Sequence, residues 1–341
     1  MLETLSEFRN ILDEIMLQAM HKRIVLYGYG YTGRFLKWYA EYYHSIKIDY
    51  VITLDASFGR AYDLELFQKS LLKYNYRDVL DSVIWLAEPK DREIELLLTQ
   101  KGYVEGKTFF DFYDAIYGKE VTWDSTETDV FKRRKSGKKD IQFLEWLEWK
   151  YDCNFVQMID RENLEVAKEH GSGYRITTQK EIFPILDKCH CIPTAEDAIF
   201  DYGCGKGGAM VSFLDYGFSH VGGVEYEPKI YEVLMENMDK LNLRHDGNIE
   251  CIQGDAAEVN QQLDKYSWFY FNKPFDDSVF FKCIDYICES FDRRKRKIHI
   301  IDIAPRYHGY IESKKCFRLT NQFTIDTRQR VVNIYESYAG H

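Results

Sequence analysis

Twice in this chain an apolar run is followed at once by a glycine-rich loop and a helix-like stretch. "RIVLY" leads into "GYGYTG", residues 28–33, and "AIFDY" leads into "GCGKGG", residues 203–208. Gly28, Gly30 and Gly33 in the first loop, and Gly203, Gly205 and Gly208 in the second, fit a G-x-G-x-x-G spacing. Nucleotide-binding α/β folds use that spacing where a strand turns sharply into a helix and a ligand must approach the backbone. Which of the two loops holds a cofactor, and which cofactor, decides the function.

Around the first loop the pattern alternates. "RIVLY" reads as a strand, 31–44 as a helix and "IDYVITL" as a second strand. A helix near 62–73, the strand "SVIWLA" (82–87), a helix over 91–101 and the strand "TFFDF" (108–112) complete a unit ending near Gly118. Strands alternating with helices argue a parallel sheet covered on both faces. Ahead of it, Leu5, Phe8, Leu12, Ile15, Met16 and Ala19 share one helical face. The opposite face is not basic, so this helix is expected to pack on the first domain and not to lie on a membrane.

Residues 119–140 shift to Thr, Asp, Lys and Arg and read as a linker. A helical stretch follows to 170, is broken by "GSG" at 171–173, and gives way to a helix over "TTQKEIFPILDKC". The second series has strands at "DAIFDYG" (197–203), "VGGVEY" (221–226), "IECIQGD" (249–255), "WFYFN" (268–272) and "KIHIIDIA" (297–304). Helices are expected at about 206–215, 228–241 and 276–291. The final runs, "CFRLTNQFTI" and "RVVNIYESY", are joined by only "DTRQ", too short for a parallel crossover, and require an antiparallel hairpin. The expected domains are 1–118, a linker and helical connection over 119–170, and 171–341.

Composition narrows the function. A chain of 341 residues can bury two cores, and no apolar run reaches membrane-spanning length. With 45 basic against 55 acidic residues the net charge is −10, which argues against a protein that coats nucleic acid. The basic clusters at 132–139 and 293–297 read as solvated corners. Eight cysteines without repeated spacing suggest reduced thiols in a cytoplasmic protein. Cys189, His190 and Cys191 stand close together, but one such cluster without a second ligand pair is poor evidence for zinc, so no metal is expected.

Five parallel-type strands closed by a hairpin match the seven-stranded sheet of class I S-adenosylmethionine-dependent methyltransferases, which residues from about 170 to 341 resemble. The expected fold class is therefore α/β with two Rossmann-like units, the second a methyltransferase sheet. The resemblance implies S-adenosylmethionine as cofactor. It sets Gly203, Cys204 and Gly205 around the methionine and ribose, and Asp201 near the ammonium. Glu225, at the tip of the next strand with Tyr226 beside it, can accept from two vicinal ribose hydroxyls, a reading that suits NAD equally. Asp255 and Ala256 fall where the family contacts adenine, and this further acid favours adenosylmethionine. Tyr174 and Thr178 correspond to pocket-lining positions of one branch, with a helix N-cap at Thr177 or Thr178 as the plainer reading.

The fourth strand runs into Asn272-Lys273-Pro274-Phe275, where the family often has Asn-Pro-Phe or Asn/Asp-Pro-Pro-aromatic. The inserted lysine leaves the accepting atom open. Asn272 is expected at both cofactor and acceptor, with Pro274, Phe275 and Asp276 completing the mouth. Asp276, Asp277 and His308 are the candidate bases. The expected function is methyl transfer by direct displacement to a small-molecule or glycan-type acceptor. Two other classes remain: an NAD(P)-dependent oxidoreductase using "GYGYTG", and a non-catalytic methyltransferase-like interaction module.

The first unit resembles N-terminal nucleotide-binding-like domains attached to bacterial surface-sugar and tailoring enzymes. That resemblance implies a nucleotide loop at Gly28, Gly30 and Gly33 with Asp55 past the second strand. A nucleotide-sugar ligand and a homodimer formed through this region both stay open.

Overall fold

The computed structural model describes residues 3–19, 22–52, 66–67, 82–90, 92–118, 141–166, 173–245, 247–273, 275–325 and 329–338. The chain forms two compact units that divide between Lys150 and Tyr151, inside the stretch 119–170.

In the first unit a parallel sheet has the order β3-β2-β1-β4-β5, built from β1 (Arg23–Tyr27), β2 (Tyr50–Ile52), β3 (Leu66–Phe67), β4 (Ser82–Leu86) and β5 (Phe109–Asp111). Its helices are α1 (Glu3–Gln18), α2 (Tyr31–His44), α3 (Arg92–Gln100), α4 (Phe112–Tyr117) and α5 (Gln142–Tyr151). Every residue of β4 is buried, as expected of a central strand covered on both faces. The apolar face of α1 buries Phe8, Leu12 and Met16, and the Phe8 ring lies 5.2 Å from Trp146 of α5.

Two sequence expectations need correction here. The helix near 62–73 is contradicted at Leu66–Phe67, which extend the sheet by pairing with Val51 and Ile52; sheet pairing overrides local propensity. The long helix over 140–170 stops at Tyr151, and Asp152 takes a left-handed φ of 55°. From Asp152 to Val166 the described chain is irregular apart from one turn at Arg161–Asn163. Asp55 and the basic run 132–139 lie outside the described residues.

The second unit carries a seven-stranded sheet in the order β11-β12-β10-β9-β6-β7-β8. Its strands are β6 (Ala198–Tyr202), β7 (His220–Glu225), β8 (Ile249–Gln253), β9 (Trp268–Phe271), β10 (His299–Ile303), β11 (Phe317–Ile325) and β12 (Arg330–Ser337). Helices α6 (Gln179–Lys188), α7 (Gly208–Tyr216), α8 (Pro228–Lys240), α9 (Asp277–Arg293) and α10 (His308–Ser313) complete it. The first five strands are parallel, and β12 is antiparallel to both β10 and β11. On one face Phe200, Tyr202, Phe269 and Phe271 pack against Ile284 and Ile287 of α9. Tyr202 stacks on Phe271 with centroids 4.4 Å apart.

Strand order reverses at β6, which lies between β7 and β9. In open parallel sheets the ligand crevice forms outside the carboxyl ends at such a switch point. That places the loop after β6 and the segment after β9 on the same crevice. Among the described residues no helix is long and apolar enough to cross a membrane.

Candidate functional site

After Tyr202 the backbone takes three left-handed turns in five residues, at Gly203 (φ 75°), Gly205 (57°) and Gly207 (88°). The last of these is Gly207 and not Gly208, which is the first residue of α7. Left-handed backbone is where glycine avoids the Cβ penalty. A β-carbon at Gly205 would lie 2.6 Å from the Tyr174 ring, and one at Gly207 would lie 2.5 Å from Met238 Cε. The amides of Gly203 and Cys204 both donate to Val224 O at 3.0 Å, which ties the loop to β7.

Three acids stand at the carboxyl ends of the adjacent strands β6, β7 and β8. Asp201 is 3% exposed, and burial followed by the neighbouring Glu225 carboxylate pushes its carboxyl up to about 8. Such a group favours a cationic ligand. Glu225 is also buried, and burial raises its carboxyl while backbone hydrogen bonds lower it. Its Oε2 accepts from Gly205 N at 3.0 Å and its Oε1 from Glu227 N at 2.8 Å. The Tyr226 amide is a third backbone donor to this carboxylate, which leaves one acceptor position for a ribose hydroxyl. Asp255 Oδ1 accepts from Ala257 N at 2.8 Å and caps the turn Ala256–Glu258. Ala256 and Cys204 are buried, the Cys204 thiol held well above its ordinary range by that burial, while Tyr226 is 47% exposed.

At the mouth, β9 ends at Phe271, so Asn272 and Lys273 lie beyond the strand and its alternation does not govern them. Asn272 Nδ2 donates to Thr177 Oγ1 at 3.0 Å. Lys273 is exposed with a left-handed φ of 54°. Phe275 stands edge-on to Tyr202 at 6.3 Å, and Pro274 lies outside the described residues.

The candidate bases stand at helix N-termini. Asp276 is the N-cap of α9 and accepts from Ser278 Oγ at 2.8 Å. Asp277 is the exposed first residue of that helix. His308 opens α10, with Nδ1 2.9 Å from Tyr335 Oη and Nε2 3.2 Å from Glu312. Thr178 is the N-cap of α6, its amide donating to Glu181 Oε2 at 3.1 Å. The structure therefore gathers Tyr174, Asp201, Gly205 and Glu225, and separately ties Asn272 to Thr177. Sequence reasoning missed three buried residues: Lys206 in the loop, Asn237, which donates to Lys206 O, and Glu227, whose amide donates to Glu225; only Lys206 carried a signal, as a cation between two glycines.

The glycine loop of the first unit is shaped differently. Gly33 lets α2 come down on the turn, since a β-carbon there would lie 2.1 Å from Gly28 O. Gly28 (φ 90°) is covered by Glu88, whose Cγ would be 2.3 Å from a β-carbon at Gly28, while Gly30 opens α2. Burial raises the Glu88 carboxyl. In its ionised form an acid laid over the loop opposes a pyrophosphate.

No family model matches the chain. The protein named "probable cobalt-precorrin-6B C(15)-methyltransferase (decarboxylating)" of Methanocaldococcus jannaschii is 28% identical over 145 residues, 42% of this chain and 69% of that protein. An RNA methyltransferase from Salinibacter ruber, solved with S-adenosyl-L-homocysteine, is 15% identical with a TM-score of 0.33, covering 46% of this chain and 93% of that one. The methyltransferase domain of bacterial CtHen1-C is 14% identical with a TM-score of 0.36, covering 48% and 98%. With five parallel strands that reverse order at β6, an antiparallel hairpin at one edge and a glycine loop between β6 and α7, the second unit has the class I methyltransferase fold.

Proposed function

We propose that this protein is an S-adenosylmethionine-dependent methyltransferase acting on a small-molecule or glycan-type acceptor. One observation carries the reading: the carboxyl ends of three adjacent strands present Asp201 with the glycine loop, then Glu225, then Asp255. That succession suits an ammonium, a ribose hydroxyl and an adenine in turn. The 28% identical relative, a methyltransferase by name, supports methyl transfer as the reaction class.

When bound, the cofactor supplies a methyl carbon already activated by a sulfonium. This chain's residues align the partners and exclude water. The buried Asp201 carboxyl would pair with the ammonium as a carboxylate, its proton released to solvent. Glu225 holds a ribose hydroxyl while it pins Gly205. Asp255 accepts from the adenine amine. Asn272, neutral and carrying both donor and acceptor, positions the acceptor's amine or hydroxyl.

Calorimetry and thermal shift with S-adenosylhomocysteine and, separately, NADH test the reading. One S-adenosylhomocysteine site and no response to NADH are expected. Absence of S-adenosylhomocysteine binding to the folded chain would remove the central claim. Mass spectrometry on a panel of candidate acceptors then identifies the product.

A further inference from the structure

Lys206 stands in the middle of the glycine loop of the second unit, yet it is 1% exposed. Burying a lysine is costly unless its donors are met. Here Nζ donates to Asn154 Oδ1 at 3.0 Å and to Gln157 O at 2.9 Å, and lies 5.1 Å from the centre of the Tyr174 ring. Both oxygens belong to the irregular segment that follows α5. Tyr174 Oη reaches the same segment, donating to Phe155 O at 2.6 Å.

A second clamp holds that segment from the other side. Asn237 of α8, 1% exposed, accepts from Asn154 N at 2.7 Å and donates to Asn154 O at 3.1 Å. It also donates to Lys206 O at 3.0 Å. Further on, the buried Glu227 carboxylate accepts from Glu165 N and Val166 N at 3.0 Å. Residues 153–157 are thus fastened to the glycine loop by side chains from the loop itself, from α8 and from Tyr174.

Three left-handed glycines in five residues have a high entropic cost of ordering, and nothing in glycine itself selects this shape. A loop fixed before the ligand arrives avoids part of that cost on binding. We propose that Lys206 is a positioning residue of the cofactor site, a latch that holds residues 153–157 beneath the glycine loop and thereby fixes the loop in its ligand-receiving shape. The proposal rests on the cofactor reading above for the ligand's identity, but the latch itself is measurable without ligand.

The test uses the full chain carrying Lys206→Met, which keeps the unbranched stem and removes the charge. Hydrogen exchange of the ligand-free protein is expected to speed up at least tenfold across 203–208, while β6 stays protected. With S-adenosylhomocysteine as the probe, Kd is expected to rise at least tenfold at a temperature where the variant is fully folded. Tyr174→Phe removes another bond of the same latch. The double variant is therefore expected to lose less affinity than the product of the single losses. Unchanged exchange across 203–208, an unchanged Kd in a loosened loop, or strictly multiplicative losses would each overturn the latch. If the loop loosens but the unaltered protein binds no S-adenosylhomocysteine, the cofactor reading is what fails.

Discussion

The ring of Tyr174 rests on the α-carbon of Gly205, so closely that a β-carbon would sit 2.6 Å from it. The ring cannot withdraw freely, because its hydroxyl donates to Phe155 O at 2.6 Å. Gly205→Ala therefore meets both a left-handed φ of 57° and a blocked space. We expect a stability loss of about 1–3 kcal/mol by urea unfolding, together with weaker S-adenosylhomocysteine binding. Combined with Tyr174→Ala, the two substitutions should cost less together than the sum of their single losses, because the smaller side chain removes the clash. A Gly205→Ala variant as stable as the unaltered protein would show that ring and loop separate easily.

Glu225 has two tasks that one substitution can separate in part. Glu225→Gln keeps a carbonyl oxygen for part of its backbone-amide set but presents donors where the remaining amides and a ribose hydroxyl need an acceptor. Affinity for S-adenosylhomocysteine should fall by roughly 1.5–3 kcal/mol, the scale of hydrogen bonds to charged groups. Calorimetry on a folded variant that shows unchanged affinity would refute the ribose assignment.

Much of this site was legible in the sequence because strand ends and glycines leave local marks. The apolar runs at β6, β9 and β10, and the four-residue link between β11 and β12, were enough for the sheet. The acids after β6, β7 and β8 then fell at one crevice by topology. The stretch after Tyr151 was not legible. Its composition continues a helix, but Asp152 turns left-handed and the Asn237 side chain replaces the helical hydrogen-bond partners of Asn154. Nor could spacing show that Lys206 is buried, because a lysine in a glycine loop ordinarily reads as solvated. Asp276 was visible as an acid near the mouth, but its use as a helix cap depends on where α9 starts.

Asp201 sets a pH dependence. Its carboxyl stands near 8 in the folded protein against an ordinary 3.8, so between those values the folded state holds a proton that the unfolded chain has released. This group's contribution to stability is therefore greatest at low pH and is lost as pH rises toward about 8. Asp201→Asn lacks that slope. Its stability relative to the unaltered protein should improve by roughly 1 kcal/mol per pH unit between pH 5 and 8 and then level off. Urea unfolding at pH 5, 6.5 and 8 measures this, and a constant difference would mean that the carboxyl is ionised throughout.

Glu88 gives the first unit's loop a testable character. With its carboxyl over Gly28, NADH should neither bind nor be oxidised by the purified protein. Fluorescence titration with NADH checks the first point and absorbance the second. Acceptor-dependent NADH turnover would promote the oxidoreductase reading and show that Glu88 moves aside.

Asn272 and Lys273 follow β9 at the crevice mouth but differ in how they are held. Asn272 is half-buried and oriented by its bond to Thr177 Oγ1, which leaves its carbonyl oxygen to accept from an incoming amine or hydroxyl. Lys273 is exposed, and its left-handed backbone turns the chain away from the line of the strand. A solvated ammonium on a flexible stem adds little to the alignment of a neutral acceptor, whereas a fixed amide adds directly to it. Asn272→Ala should therefore lower turnover far more than Lys273→Ala, with cofactor affinity little changed in either. Steady-state kinetics on both variants with an identified acceptor decides the matter. A larger loss from Lys273→Ala would mean that the lysine folds inward over bound acceptor and that the acceptor carries a phosphate or carboxylate.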